Sequence, residues 1–153
     1  ALEGYLNFSG ALAGGVLNAK VREQIALAVA EINDCTYCRR AHTYIGGKAG
    51  LNEREMADAR RVVASDERTA AILKLARSIV VQRGELSETE FKAARTARLT
   101  DAEIVETTAN VALNILTNYV NHVAQTVVDF PEVKPGVGEA TAAGCGTEGC
   151  GCA

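Results

Sequence analysis

The residues best suited to chemistry form one short stretch, Cys35-Thr-Tyr-Cys38-Arg-Arg-Ala-His42. On a helix Cys35 and Cys38 stand at i and i+3, close enough for a disulfide, while Cys38 and His42 at i and i+4 share a face. The pair also falls where a helix is expected to begin, and the unpaired backbone N–H groups and macrodipole there favour an anion. All three features promote thiolate. A free thiol with a pKa of ~8.5 is only a few per cent ionised at neutral pH, and lowering it by ~2 units, which takes ~2.7 kcal/mol, makes it mostly thiolate. Arg39 and Arg40 either add positive potential or form a solvated face. Attachment of c-type haem needs histidine directly after the second cysteine, and Arg39 stands there. Zinc held by Cys35, Cys38 and His42 would need a fourth ligand from elsewhere, and one helical turn is a cramped source of three. The residues themselves favour thiol redox chemistry, with metal binding as the alternative.

The elements that carry this stretch read as helices. Val16, Leu17, Val21, Ile25, Ala28, Val29 and Ile32 recur at three- and four-residue spacing, which predicts an amphipathic helix over Val16–Ile32. Asn33-Asp34 breaks it, and Cys35 opens a second helix to about Lys48, with Gly50 just past its end. Capping boxes announce three more starts: Asn52 with Glu55, Ser87 with Glu90, and Thr100 with Glu103. Glu67–Arg83 forms another helix, closed by Gly84, and the last runs from Asp101 to about Val128. Residues 1–130 contain no proline, and no alternating β pattern appears. The expectation is an all-α domain of about six helices over residues 1–130.

Composition sets the outer limits. The chain has 153 residues, 16 Lys+Arg against 19 Asp+Glu, a net charge of −3 and 48% hydrophobic residues. These values suit one globular domain and argue against nucleic acid as a partner, since phosphate binding needs a basic excess. Thr107–Val128 carries no charged side chain and is long enough to span a bilayer. However, Asn110, Asn114, Asn118, Asn121, His122 and Gln125 make it too polar for lipid, so no membrane association is expected. The asparagines form a neutral stripe that must find partners within the chain, across a subunit interface or in a polar pocket. Residues 131–153 hold both prolines and six of the 14 glycines, and read as a flexible, disordered tail. Its Cys145, Cys150 and Cys152 could bind a soft metal, exchange disulfides with the core pair, or do neither. Five cysteines without a visible signal peptide suit a reducing, cytoplasmic setting.

Glu23, the apolar run Gln-Ile-Ala-Leu-Ala-Val-Ala and the Cys35-x-x-Cys38-x-x-x-His42 motif together resemble the alkylhydroperoxidase D (AhpD)-like branch of the carboxymuconolactone decarboxylase superfamily. Tyr5-Leu-Asn-Phe-Ser-Gly-Ala-Leu and Leu113-Asn-Ile-Leu-Thr-Asn-Tyr-Val-Asn-His122 extend the resemblance, which covers about residues 4–133 and leaves the cysteine tail unmatched. It implies an all-helical fold, assembly as a homotrimer or homohexamer, and a peroxidase that reduces organic hydroperoxides. By position, Cys38 would be the peroxidatic nucleophile, Cys35 the resolving thiol, and His42 with Glu23 a proton relay. The helix start alone would favour Cys35 as the thiolate, so the two cues differ. Glu31 lies nearer Cys35 and rivals Glu23 for the carboxylate role. Where the best-known member has histidine before the second cysteine, this chain has Tyr37, a poor proton store near neutrality at pKa ~10, which implies weaker turnover. His122 is a further possible relay. No bound cofactor is implied, only an external dithiol from a lipoylated or thioredoxin-like donor. Lactone decarboxylation does not depend on such a cysteine pair, whose presence points away from it.

Overall fold

The computed structural model describes residues 1–133, so the tail cysteines Cys145, Cys150 and Cys152, with most of the proposed 131–153 segment, lie outside the described residues. The fold is all-α. Its described residues form seven helices: α1 (Leu2–Ala13), α2 (Ala19–Ile32), α3 (Thr36–Lys48), α4 (Glu53–Arg60), α5 (Glu67–Val81), α6 (Glu88–Thr96) and α7 (Asp101–Ala124). The helix absent from the sequence reading is α1. It has no side-chain N-cap, and its Leu2, Leu6 and Phe8 stay exposed, so it lacks both a start signal and a fully buried stripe.

The three capping boxes form as expected, with Asn52, Ser87 and Thr100 each accepting from the backbone N–H three residues on. α2 starts at Ala19, three residues later than the apolar spacing suggests. Asn18 takes the N-cap role, and the Glu106 carboxylate accepts from the N–H groups of Val16 (2.7 Å) and Leu17 (2.9 Å). This clamp ties the α1–α2 link to α7 and explains Gly15, where a Cβ would run into the same carboxylate. At the other end α7 stops at Ala124, because Gln125 turns left-handed at φ 49°.

α2 is the central helix. Ile25 to Ala30 are almost fully buried, so this stretch is covered on all sides while the first turn of the helix stays partly exposed, with α3, α4, α5 and α7 packed around it. Ile25, Leu27 and Val29 meet Ile72 and Leu73 of α5 and Val111 of α7 in the main core. Burying side chains of this size contributes roughly 1.5–3 kcal/mol each. Asp34, at φ 51°, occupies the left-handed conformation that aspartate tolerates better than most residues. It folds α3 back on α2 in a two-residue turn, with Cys35 N–H donating to Ala30 O at 2.9 Å. That turn delivers the cysteines into a small cluster with Ala30 and Tyr37, apart from the main core.

Candidate active site

Cys35 is the N-cap of α3, and its sulfur accepts the backbone N–H of Cys38 at 3.4 Å. The helix-start cue therefore acts on Cys35, as the spacing suggested. Both thiols are free, each only 2% exposed, and their sulfurs lie 2.7 Å apart. The pair is therefore placed for a Cys35–Cys38 disulfide to form without rearrangement of the helices. The pair differs in access: Cys38 lines an open cavity of about 620 Å³, and Cys35 lies behind it.

That cavity is walled by α1 (Tyr5, Leu12), α2 (Glu23, Ala26), α3 and α7, with Phe130 closing one side. Phe130 reaches it because the chain after α7 returns across α3. Arg40 donates to Phe130 O and Glu132, both at 3.4 Å, and the Phe130 ring meets Tyr37 edge-on at 5.5 Å. This return was not visible in the sequence, and its only cue was the aromatic residue ahead of Pro131.

His42 also faces the cavity, and its Nδ1 lies 2.8 Å from Glu23 Oε2. With Nδ1–H donated to the carboxylate, Nε2 is left as the acceptor. Glu23, rather than Glu31, thus holds the histidine; Glu31 pairs instead with Arg39 at 3.7 Å. His42 makes no hydrogen bond to either sulfur, although it lies one turn from Cys38. The partners of Cys38 Sγ are Cys35 and, unforeseen, Asn121 of α7, whose Nδ2 donates at 3.2 Å. Burial pushes the Cys38 thiol up to about 12, the hydrogen bond with Cys35 pushes the same way, and contacts from Asn121 and Asn118 oppose them. At Cys38 desolvation thus outweighs the neighbouring donors, which spacing alone does not reveal. Tyr37 is raised too, by burial first and then by the charges of Asp129 and Cys38, so it stays protonated near neutrality.

The asparagine stripe divides its partners. Asn110 and Asn114 donate to the carbonyls of Glu106 and Asn110 one turn back, both at 2.8 Å, and face the cavity. Asn118 Oδ1 accepts from Asn33 Nδ2 at 2.9 Å. His122 makes no hydrogen bond to either sulfur; its Nε2 lies 3.0 Å from Asn33 O and ties α7 to the α2–α3 turn. Among the described residues no group of three His, Cys, Asp or Glu side chains is placed to hold a metal. A metal at Cys35, Cys38 and His42 therefore finds no ready donor set.

Fold and site together define an all-α protein with a buried thiol pair opening on an organic-sized cavity. Residues 1–81 match the carboxymuconolactone decarboxylase family, and the chain belongs to that family. No curated protein matches the sequence. Among solved structures, an uncharacterized peroxidase-related protein from Silicibacter sp. TM1040 superposes with a TM-score of 0.75 at 22% identity, covering 82% of this chain and 69% of that one. A protein of unknown function from Agrobacterium tumefaciens, described as a candidate antioxidant defence protein AhpD, gives 0.75 at 18% identity, covering 86% and 91%. A variant of the debrominase Bmp8 bound to 2,3,4-tribromopyrrole gives 0.72 at 15% identity, covering 82% and 69%. At such identities the likeness is one of fold. Among the described residues no helix is long and apolar enough to cross a membrane.

Proposed function

We propose that the protein is a thiol peroxidase that reduces organic hydroperoxides. The observation that carries this reading is the placing of the Cys35 and Cys38 sulfurs side by side in the interior, with Cys38 lining the cavity. Cys38 gives its proton to His42 Nε2, and the resulting thiolate attacks the terminal peroxide oxygen. The S–O bond forms as the O–O bond breaks, and the departing alkoxide takes the proton back from His42. The Cys35 thiol then attacks the sulfenic sulfur, water leaves, and the Cys35–Cys38 disulfide forms. Glu23 steadies the imidazolium through its contact with Nδ1. Two electrons must come back from outside, from a dithiol carried by a lipoylated or thioredoxin-like donor, and no bound cofactor is required.

Thiol–disulfide exchange is the second reading of the same pair, and the return of electrons from an external dithiol to Cys35–Cys38 is itself such an exchange. The tail cysteines keep their roles in metal binding or disulfide exchange as open proposals outside this mechanism. The cysteine usage of the chain suits a reducing, cytoplasmic setting. Self-association as a homotrimer or homohexamer is supported by the apolar side chains that α1 and α7 leave exposed, among them Leu2, Leu6, Tyr119 and Val120. The test is thiol titration and peptide mapping before and after one equivalent of cumene hydroperoxide. The proposal requires loss of two thiols as a Cys35–Cys38 disulfide, abolished in Cys38→Ser. Unreacted thiols, or oxidation confined to the tail cysteines, would overturn it.

A further inference from the structure

A buried nucleophilic sulfur must be given its charge by something close to it. Burial works against ionisation at Cys38, and the histidine of the motif is hydrogen-bonded to Glu23 rather than to the sulfur. The groups that do approach the sulfur come from the far end of the chain. Asn121 Nδ2 donates to Cys38 Sγ at 3.2 Å from 83 residues away. Asn118, one turn earlier on α7, is fully buried, and its Nδ2 is the one amide donor among the described buried side chains without a hydrogen-bond partner. Its orientation is set by Asn33, whose Nδ2 donates to Oδ1, while His122 Nε2 meets the backbone carbonyl of Asn33. A thiol offers such donors little, whereas a thiolate is a strong acceptor that both amides can share.

We propose that Asn118 and Asn121 form a two-donor cradle for the Cys38 sulfur anion and are catalytic residues of this site. The cradle makes use of an otherwise orphaned buried donor. It also accounts for two members of the α7 asparagine stripe, since Asn118 and Asn121 stand at i and i+3 on the face turned toward α3. Asn33 is the positioning residue that sets the direction of the Asn118 amide. Neither asparagine exchanges a proton in the reaction. Cys38 loses its proton to His42 as described above, and the amides hold the charge left on sulfur and the partial charge in the O–O cleavage step.

The proposal deepens the peroxidase reading, but its test does not depend on it. In a Cys145→Ser, Cys150→Ser, Cys152→Ser background, the rate of Cys38 alkylation by iodoacetamide is followed against pH by peptide mass mapping. Removing one donor should lower that rate about tenfold or more at every pH below the sulfur's ionisation, the range for one hydrogen bond to a charged group. Asn121→Ala should show this loss, Asn121→Gln should recover part of it, and Asn121→Asp should fall below Ala because it faces the anion with a second negative charge. Asn121 lies at the cavity edge, so these variants should fold; Asn118→Leu, with helicity checked by circular dichroism, gives the second measurement. An unchanged alkylation profile in folded Asn121→Ala would overturn the cradle while leaving the peroxidase reading intact. A wild-type pair that alkylates normally but is not oxidised by cumene hydroperoxide would overturn the peroxidase reading and leave the cradle standing.

Discussion

The raised ionisation of Cys38 has consequences that can be worked through in numbers. A thiol moved from 9.0 to about 12 has a thiolate fraction at pH 8 of roughly 10⁻⁴ rather than 10⁻¹, a thousandfold difference worth about 4 kcal/mol. Alkylation of Cys38 should therefore climb about tenfold per pH unit from pH 7 and show no plateau below about pH 11. Peroxide reduction under saturating external reductant should rise with pH in the same way. Stability should move the opposite way. The unfolded chain releases this proton near pH 9 and the folded chain holds it to about pH 12, so ΔG of unfolding should fall across that window by about 1.4 kcal/mol per unit. Urea melts of wild type and Cys38→Ala at pH 8, 9 and 10 would measure the difference, with the variant showing the shallower decline. A plateau in Cys38 alkylation near pH 7 would refute the reasoning, because it would mean that the amides overcome burial.

Tyr37→His should raise the peroxidase rate, since it places a group that titrates near neutrality beside Cys38; steady-state assay with cumene hydroperoxide checks this, and no change would count against a relay at that position. Phe130→Ala opens one wall of the 620 Å³ cavity and should raise KM for cumene hydroperoxide several-fold while leaving hydrogen peroxide kinetics nearly unchanged. Thr100→Ala removes the side-chain cap of α7, which accepts from the Glu103 N–H, and should lower stability by about 1 kcal/mol in a denaturant melt.

What the sequence revealed and what it hid follow from the range over which each interaction acts. The capping boxes at Asn52, Ser87 and Thr100 are signals three residues long, and all three formed. Gly50 and Gly84 adopt positive φ at helix ends, where a side chain would strain the backbone. The Glu23–His42 contact was implied by family resemblance, and the relative positions of Cys38 and His42 by helical spacing. By contrast, Asn121 meets Cys38 across 83 residues and Arg40 meets Glu132 across 92, and nothing local announces either. The asparagine stripe was visible as a stripe, but its division between carbonyls, Asn33 and a sulfur depends on how α7 lies across α3. Burial at Cys38 was the least legible effect, because a cysteine one turn from a histidine looks activated until the surrounding packing is known.

The placement of Phe130 bears on how this site could change over generations. The thiol pair and its polar partners rest on helices whose inward sides are locked into the packed interior. The aromatic wall opposite them hangs from a helix-free return held chiefly by Arg40 and by ring contacts with Tyr37 and Tyr44. Substitutions, insertions or deletions between Gln125 and Val133 can therefore reshape what the cavity admits with little effect on the interior that keeps the sulfurs together. Descendants of such a chain are free to drift in appetite while keeping the same reactive centre.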